Sequence, residues 1–128
     1  MLFIEEPEAH LFPVSQKHIV SLFGLVYNST QHGYVTITHS PYIFTTINNM
    51  ILAKDVATQY GEDSLQGIMK SHFTIAYGDV RAYTMEDGVL VSILNDDYRL
   101  IGENVIDSVS DKFATNFDAL VNLQIGIQ

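Results

Sequence analysis

The chain begins with short apolar runs on either side of one amphipathic segment, an order typical of α/β proteins. The continuous apolar run at residues 2–4 predicts a strand covered on both faces, as in a parallel sheet. Pro13 suits the first turn of a following helix, because that position needs no N–H donor. The helix carries apolar residues at helical spacing, which predicts a core-facing stripe of Ile19, Leu22, Phe23 and Val26. After a turn at residues 28–33, the β-branched run at residues 34–38 predicts a second strand.

The second half of the chain predicts further short elements and one long helix. Ser40 and Pro41 open a short helical turn, and the apolar run at residues 50–53 predicts a third strand. Polar residues dominate residues 55–71, which predicts a loop with a short helix near residues 65–70, followed by a weak strand at residues 72–77. The runs at residues 80–85 and 89–94 flank Glu86-Asp87-Gly88, where glycine supplies the positive φ of a hairpin turn.

A helix at about residues 104–123 is the last predicted element, with Gly126 as its end signal. Its spacing predicts core positions at Ile106, Val109, Phe113, Phe117 and Leu120, and Tyr83 in the hairpin is a further predicted core residue. The whole order predicts a parallel sheet with flanking helices, then a β-hairpin and a long C-terminal helix. A length of 128 residues fits one domain, divided into a core at 1–54, a loop excursion at 55–79 and the hairpin and terminal helix at 80–128.

Composition narrows the class of protein. A hydrophobic content of 47% indicates a folded chain, and a formal charge of −9 argues against direct nucleic-acid binding, which needs clustered lysines and arginines. The absence of cysteine excludes disulfides and thiolate metal sites and fits a cytoplasmic protein. We find no signal-like segment and no run near the roughly 20 apolar residues of a membrane span, so we expect no membrane partner.

The first strand ends in two adjacent acids, Glu5 and Glu6. Adjacent strand residues point in opposite directions, but a kink at the strand end can bring both carboxylates to one crevice, where α/β folds bind ligands. One carboxylate can then hold Mg²⁺ through water while the other polarises an attacking water. Taken alone, the pair is better explained by a strand that runs into a solvated acidic loop.

The residues after the acid pair add a specific pattern. The segment IEEPEAHLFP at residues 4–13, followed by Gln16, resembles the Walker B motif and D-loop of ABC-type AAA-family ATPases of the SMC- and OLD-like groups, typically (I/L)(D/E)EPE-x-HLHP-x-x-Q. The resemblance implies a partial P-loop NTPase-type α/β fold, Glu5 as the Mg²⁺-associated acid and Glu6 as the catalytic carboxylate that orients water. It also implies a D-loop at residues 7–12 that reaches across a head-to-tail dimer: Pro7, Glu8, Ala9, His10, Leu11 and Phe12.

Two residues depart from the family pattern. Glu5 stands where aspartate is commoner, and Phe12 replaces the usual histidine before the proline, so a polar contact across the dimer is lost. His10 lacks the HExxH spacing of a zinc site, and we favour a structural D-loop role for it. A weaker alternative is a metal-dependent hydrolase that uses Glu5, Glu6, Glu8 and His10.

The second strand ends in Thr38-His39-Ser40-Pro41, which resembles the H-switch segment of the same ATPases. The resemblance implies that His39 contacts the γ-phosphate of ATP and reports its loss. A single histidine after a strand is more often solvated, but two motifs in the correct order around one helix favour the functional interpretation. We therefore predict catalytic roles for Glu6 and His39, and contacts to ATP or Mg²⁺ from Glu5, Glu6 and His39.

The phosphate-binding loop GxxxxGK(S/T), or Walker A, is absent from these 128 residues, as are the LSGG-like signature and the glutamine loop. We therefore expect the chain to bind ATP poorly alone, to show no turnover, and to need a Walker A-containing N-terminal half or partner subunit. Because Met1 directly precedes strand residues, we expect a longer parent protein and an unpaired strand edge that drives homo-oligomer formation. The alternative is a degenerate ATPase-like piece that serves as an assembly module without hydrolysis.

Overall fold

The computed structural model describes residues 1–102, 117 and 119–123. Its helices and paired strands are β1 (Leu2–Glu5), α1 (Pro13–Thr30), β2 (Tyr34–Ile37), α2 (Pro41–Tyr60), β3 (Tyr83–Glu86), β4 (Val89–Ser92), β5 (Leu94–Asn95) and β6 (Leu100–Ile101). Three 3₁₀ turns connect α2 to β3, at Glu62–Leu65, Ser71–Phe73 and Tyr77–Asp79. In this part of the chain each sheet has two strands, so the fold is mixed α/β with small sheets.

The first sheet has the predicted parallel pairing. β1 lies beside β2 in the register Leu2↔Tyr34 to Glu5↔Ile37, with α1 as the crossover between them. The prediction that β1 is covered on both faces is wrong for the described residues, since Leu2 is 52% and Phe3 is 72% exposed. Phe3, Val35 and Ile37 occupy one face of the pair, and all three are exposed. The opposite face is covered at Tyr34, whose ring stacks on Phe23 of α1 at a centroid distance of 5.2 Å.

Helix α1 begins at Pro13 as predicted, and Gln31 ends it in a left-handed conformation. Its most buried face is not the predicted stripe, because Leu22 is exposed and the buried positions are Gln16, Val20 and Gly24. Ile19, Phe23 and Val26 are half-buried. Apolar residues surround much of this helix, so spacing alone could not identify the face that packs against α2.

Helix α2 replaces the predicted short turn and third strand. It runs without a break from Pro41 to Tyr60, and the predicted strand at residues 50–53 and the start of the predicted loop at residue 55 lie inside it. Ile43, Thr46, Met50 and Ala53 are buried at a helical spacing of three and four residues. Met50 joins Val20 and Ile43 in the central core, against which Ile47, Met69 and Ile75 pack.

Of the remaining predicted elements, the hairpin is observed and the strand at residues 72–77 is not. The hairpin of β3 and β4 is confirmed, with Asp87 and Gly88 as a two-residue turn at φ of 48° and 79°. The predicted strand at residues 72–77 is wrong, since that stretch forms 3₁₀ turns and loop. Asn48 of α2 fixes β6: its amide donates to the carbonyl of Ile101 (3.0 Å) and accepts from the N–H of Ile101 (2.8 Å).

Most of the predicted C-terminal helix lies outside the described residues, including Ile106, Val109, Phe113 and the end signal at Gly126. Phe117 and residues 119–123 are helical, and the predicted core positions Phe117 and Leu120 are exposed there. Tyr83 is also exposed, at 54%, so its assignment to the core is wrong. Within the described ranges no helix combines the length and apolar character needed to cross a bilayer.

Candidate functional site

The two sequence motifs meet at one edge of the first sheet. β1 and β2 are parallel and in register through Glu5↔Ile37, so the residues that follow each strand are spatial neighbours. The N–H of Glu6 donates to the carbonyl of Ile37 at 2.8 Å and extends the pairing by one residue. This geometry brings Glu6 and His39, which follow β1 and β2, to the same edge of the sheet.

Glu6 marks the point at which the chain leaves the sheet. Its φ of 46° lies in the left-handed region, which supplies the predicted kink after Glu5. The Glu6 carboxylate Oε1 lies 3.8 Å from Nε2 of His39, and the two side chains are 51% and 80% exposed. In water such a pair contributes little to stability. It presents instead an open proton acceptor beside an imidazole that can hydrogen-bond an anion.

The predicted D-loop folds as two successive turns. The N–H of Ala9 donates to the carbonyl of Glu6, and the N–H of Leu11 donates to the carbonyl of Glu8, each at 3.0 Å. His10 takes a left-handed φ of 62° and is exposed, which suits a turn position. Phe12 is 82% exposed at the start of α1, where the family pattern has histidine. The segment at residues 7–12 therefore projects from the sheet edge.

Glu8, within this predicted D-loop segment, is half-buried and its carboxylate turns toward the end of β2. Its Oε1 accepts hydrogen bonds from the hydroxyl of Thr38 (2.5 Å) and from the N–H of His39 (3.3 Å). Its Oε2 is buried and accepts no hydrogen bond from the residues that the structure describes. The hydroxyl of Thr38 also accepts from the N–H of Ser40 at 3.0 Å. One carboxylate thus holds the backbone around the switch histidine.

A second set of hydrogen bonds, made by Gln16 of α1, joins the same two segments. The hydroxyl of Ser40 donates to Oε1 of Gln16 at 2.5 Å, and Nε2 of Gln16 donates to the carbonyl of Leu11 at 3.0 Å. Both side chains are buried, at 7% and 8% exposure. The first residue before α2 and the last residues of the D-loop are therefore bound to the same glutamine of α1.

Sequence reasoning named Glu8 and Gln16 within the motif but missed what they contact. It gave Thr38 no role, although a polar residue at a strand end needs a hydrogen-bond partner once it is buried. The alternative metal-hydrolase set is not gathered either: in the described ranges, no three histidine, aspartate or glutamate side chains are placed to hold one metal ion. Glu5 ends β1 as an exposed single carboxylate.

Comparisons with protein-family models, with curated proteins and with solved structures found no match. The interpretation of the site therefore depends on the sequence motifs and on the geometry described above.

Proposed function

We propose that this chain supplies the water-activating and phosphate-sensing side of an ABC-type ATPase site. The observation that carries the proposal is the approach of Glu6 to His39, 3.8 Å apart beyond the carboxyl ends of two parallel strands. Ligands of α/β proteins bind at such strand ends. The same edge carries the turns of the D-loop segment, so all the motif residues lie in one region.

The chemistry assigns separate tasks to the residues at this edge. Glu6 is exposed and accepts hydrogen bonds from the attacking water, which orients it toward the γ-phosphate of ATP. His39, exposed beside it, donates a hydrogen bond to the γ-phosphate. Glu5 provides an oxygen donor of the kind that Mg²⁺ prefers, most simply through bound water. When bound, Mg²⁺ supplies positive charge that offsets the charge of the phosphate oxygens.

The proposed site needs groups from outside these 128 residues. Phosphate binding requires the backbone and lysine of a Walker A loop, and the sequence contains no Gly-Lys pair. The sheet face formed by Phe3, Val35 and Ile37 is uncovered, and β1 has one unpaired edge in the described structure. We propose that the Walker A half covers this face and adds strands to this edge, since an open strand edge beside exposed apolar side chains promotes pairing with another chain.

The experiment first requires a neighbouring or in-frame reading frame that encodes the motif GxxxxGK(S/T). We expect that its product co-purifies with this chain and that the complex releases phosphate from ATP, whereas this chain alone releases none. Glu6→Gln should lower turnover by about 100-fold or more, the usual contribution of a positioned base. Glu62→Gln is the matched control, because Glu62 is an exposed acid in a distant 3₁₀ turn. Equal turnover by the wild-type and Glu6→Gln complexes would refute the proposal.

A second function is favoured by the amount of exposed apolar surface. Besides the sheet face, the hairpin exposes Met85, Val89 and Leu90 by more than half of their surface. Such surface suits an assembly module that has lost catalysis. The same experiment separates the two functions, because the module predicts a stable complex whose ATP turnover is absent or unaffected by Glu6→Gln.

A further inference from the structure

The inward orientation of Glu8 is unusual for the segment in which it lies. Its neighbours Ala9 and His10 are exposed, whereas the Glu8 carboxylate reaches under the turn to the end of β2. Within the described residues Oε2 of Glu8 is buried and accepts no hydrogen bond, so Oε1 makes the contacts that join Glu8 to the end of β2.

The contacts of Glu8 join two segments that are about thirty residues apart in sequence. On one side, the carbonyl of Glu8 accepts from the N–H of Leu11, and Glu8 lies within the turn that the N–H of Ala9 closes on the carbonyl of Glu6. On the other side, its Oε1 holds the hydroxyl of Thr38 and the N–H of His39. Glu8 is therefore two residues from Glu6 along the chain and is hydrogen-bonded to the backbone of His39, so it joins the segments that carry the two exposed groups of the candidate site.

We infer that Glu8 is a positioning residue that couples the D-loop segment to the switch histidine, so that displacement of either segment displaces the other. Only the biological meaning of this coupling rests on the proposed function. That meaning is the transmission of contact at the D-loop segment to His39, the proposed γ-phosphate sensor. The same hydrogen bonds restrain both segments. We therefore expect a change on the Thr38 side to loosen the turns at residues 7–12, and a change at Glu8 to loosen the segment at His39.

Amide hydrogen exchange of the full chain, measured by NMR without nucleotide, tests both expectations. In Glu8→Ala, the amide of His39 should exchange about ten-fold faster or more, since its hydrogen bond to the carboxylate is lost. The amide of Ser40 should also exchange faster, because the Thr38 hydroxyl that accepts from it is no longer held by Glu8. Glu8→Gln should restore part of the protection, because its amide oxygen can still accept from Thr38.

The reverse test uses Thr38→Val, which keeps the shape of the side chain and removes the hydroxyl. We expect faster exchange at Ala9 and Leu11, the amides that close the D-loop turns. The amide of Gly102 is the internal control, because it bonds to the carbonyl of Ile93 at 2.8 Å, away from this network.

Two results would overturn the inference. One is unchanged exchange at His39 and Ser40 in Glu8→Ala. The other is an equal acceleration at every amide, Gly102 included, which would mean that Glu8 acts only on global stability. The exchange experiment uses no ATP, so its failure leaves the Glu6→Gln result standing, and a failed ATPase assay leaves the coupling standing.

Discussion

Replacement of Gly24 by alanine tests the helix packing that holds the two motif segments together. Helix α1 starts directly after the loop at residues 7–12, and α2 starts two residues after His39. Gly24 lies where α1 meets α2, so this close approach helps to set the distance between the two segments. A Cβ at Gly24 would overlap Cε of Met50 and would lie 2.7 Å from the carbonyl oxygen of Phe73.

The two contacts differ in how easily they can give way. The methionine tip can rotate, but the Phe73 carbonyl is backbone, and Asn28 Nδ2 donates to the carbonyls on either side of it, those of His72 and Thr74, at 2.8 Å each. Overpacking of this kind costs about 1–3 kcal/mol. Alanine regains about 1 kcal/mol through its higher helix propensity. Because the backbone contact cannot relax readily, we expect a net destabilisation of about 1–2 kcal/mol.

Urea unfolding followed by circular dichroism measures this change, since the chain has no tryptophan for fluorescence. The midpoint should fall while the denaturant slope stays constant. Gly78→Ala is the matched control, because a Cβ at Gly78 meets nothing within 4 Å, and its stability should stay within about 0.5 kcal/mol of wild type. A Gly24→Ala protein that is as stable as wild type would refute the close-packing argument.

Two further predictions concern the C-terminal elements. Asn48→Leu removes both hydrogen bonds that hold β6 on α2 and leaves a buried backbone donor and acceptor unpaired. The free energy of unfolding should therefore fall by about 2 kcal/mol in the same urea assay. An unchanged midpoint would contradict this. The hydroxyl of Tyr77 donates to Asp96 at 2.6 Å, which raises the pKa of Tyr77 above its ordinary value of 10.0. The neutral form is therefore favoured by folding, so this stabilisation is present below the ordinary pKa and is lost as the pH rises through the raised pKa. Asp96→Ala should shift one tyrosine back toward its ordinary pKa in an ultraviolet titration, and an unchanged titration would count against the hydrogen bond.

The parts of the fold that were predicted correctly have local signals. The β-branched run at residues 34–37 encodes β2, and Pro13 fixes the start of α1. The hairpin turn needs two residues with positive φ, which Asp87 and Gly88 supply. In each case a few neighbouring residues determine the backbone conformation, so no knowledge of the tertiary structure was required.

Helix α2 was missed because its local signal is ambiguous. Four consecutive apolar residues at 50–53 fit a buried strand as well as a helix that is covered on several sides. Helix α2 is such a helix, because it contacts α1, two of the 3₁₀ turns and β6. Only the longer spacing from Ile43 through Thr46 and Met50 to Ala53 distinguishes the two, and that spacing spans the proposed strand boundary.

In the candidate site, too, some contacts follow from local sequence rules and others depend on the tertiary structure. The proximity of Glu6 and His39 follows from the parallel-sheet rule, whereas the contact of Glu8 with Thr38 depends on how the turn folds back. A signal was nevertheless present. Tyr34 and Thr36 occupy the face of β2 that packs toward α1, and Thr38 continues the same alternation just past the strand end. A polar residue placed inward there requires a partner, and Glu8 is the acid in the loop that follows the neighbouring strand. Thr38 lies on the inward side just past the end of β2. Its position therefore indicates Glu8 as the hydrogen-bond partner that joins the two loops.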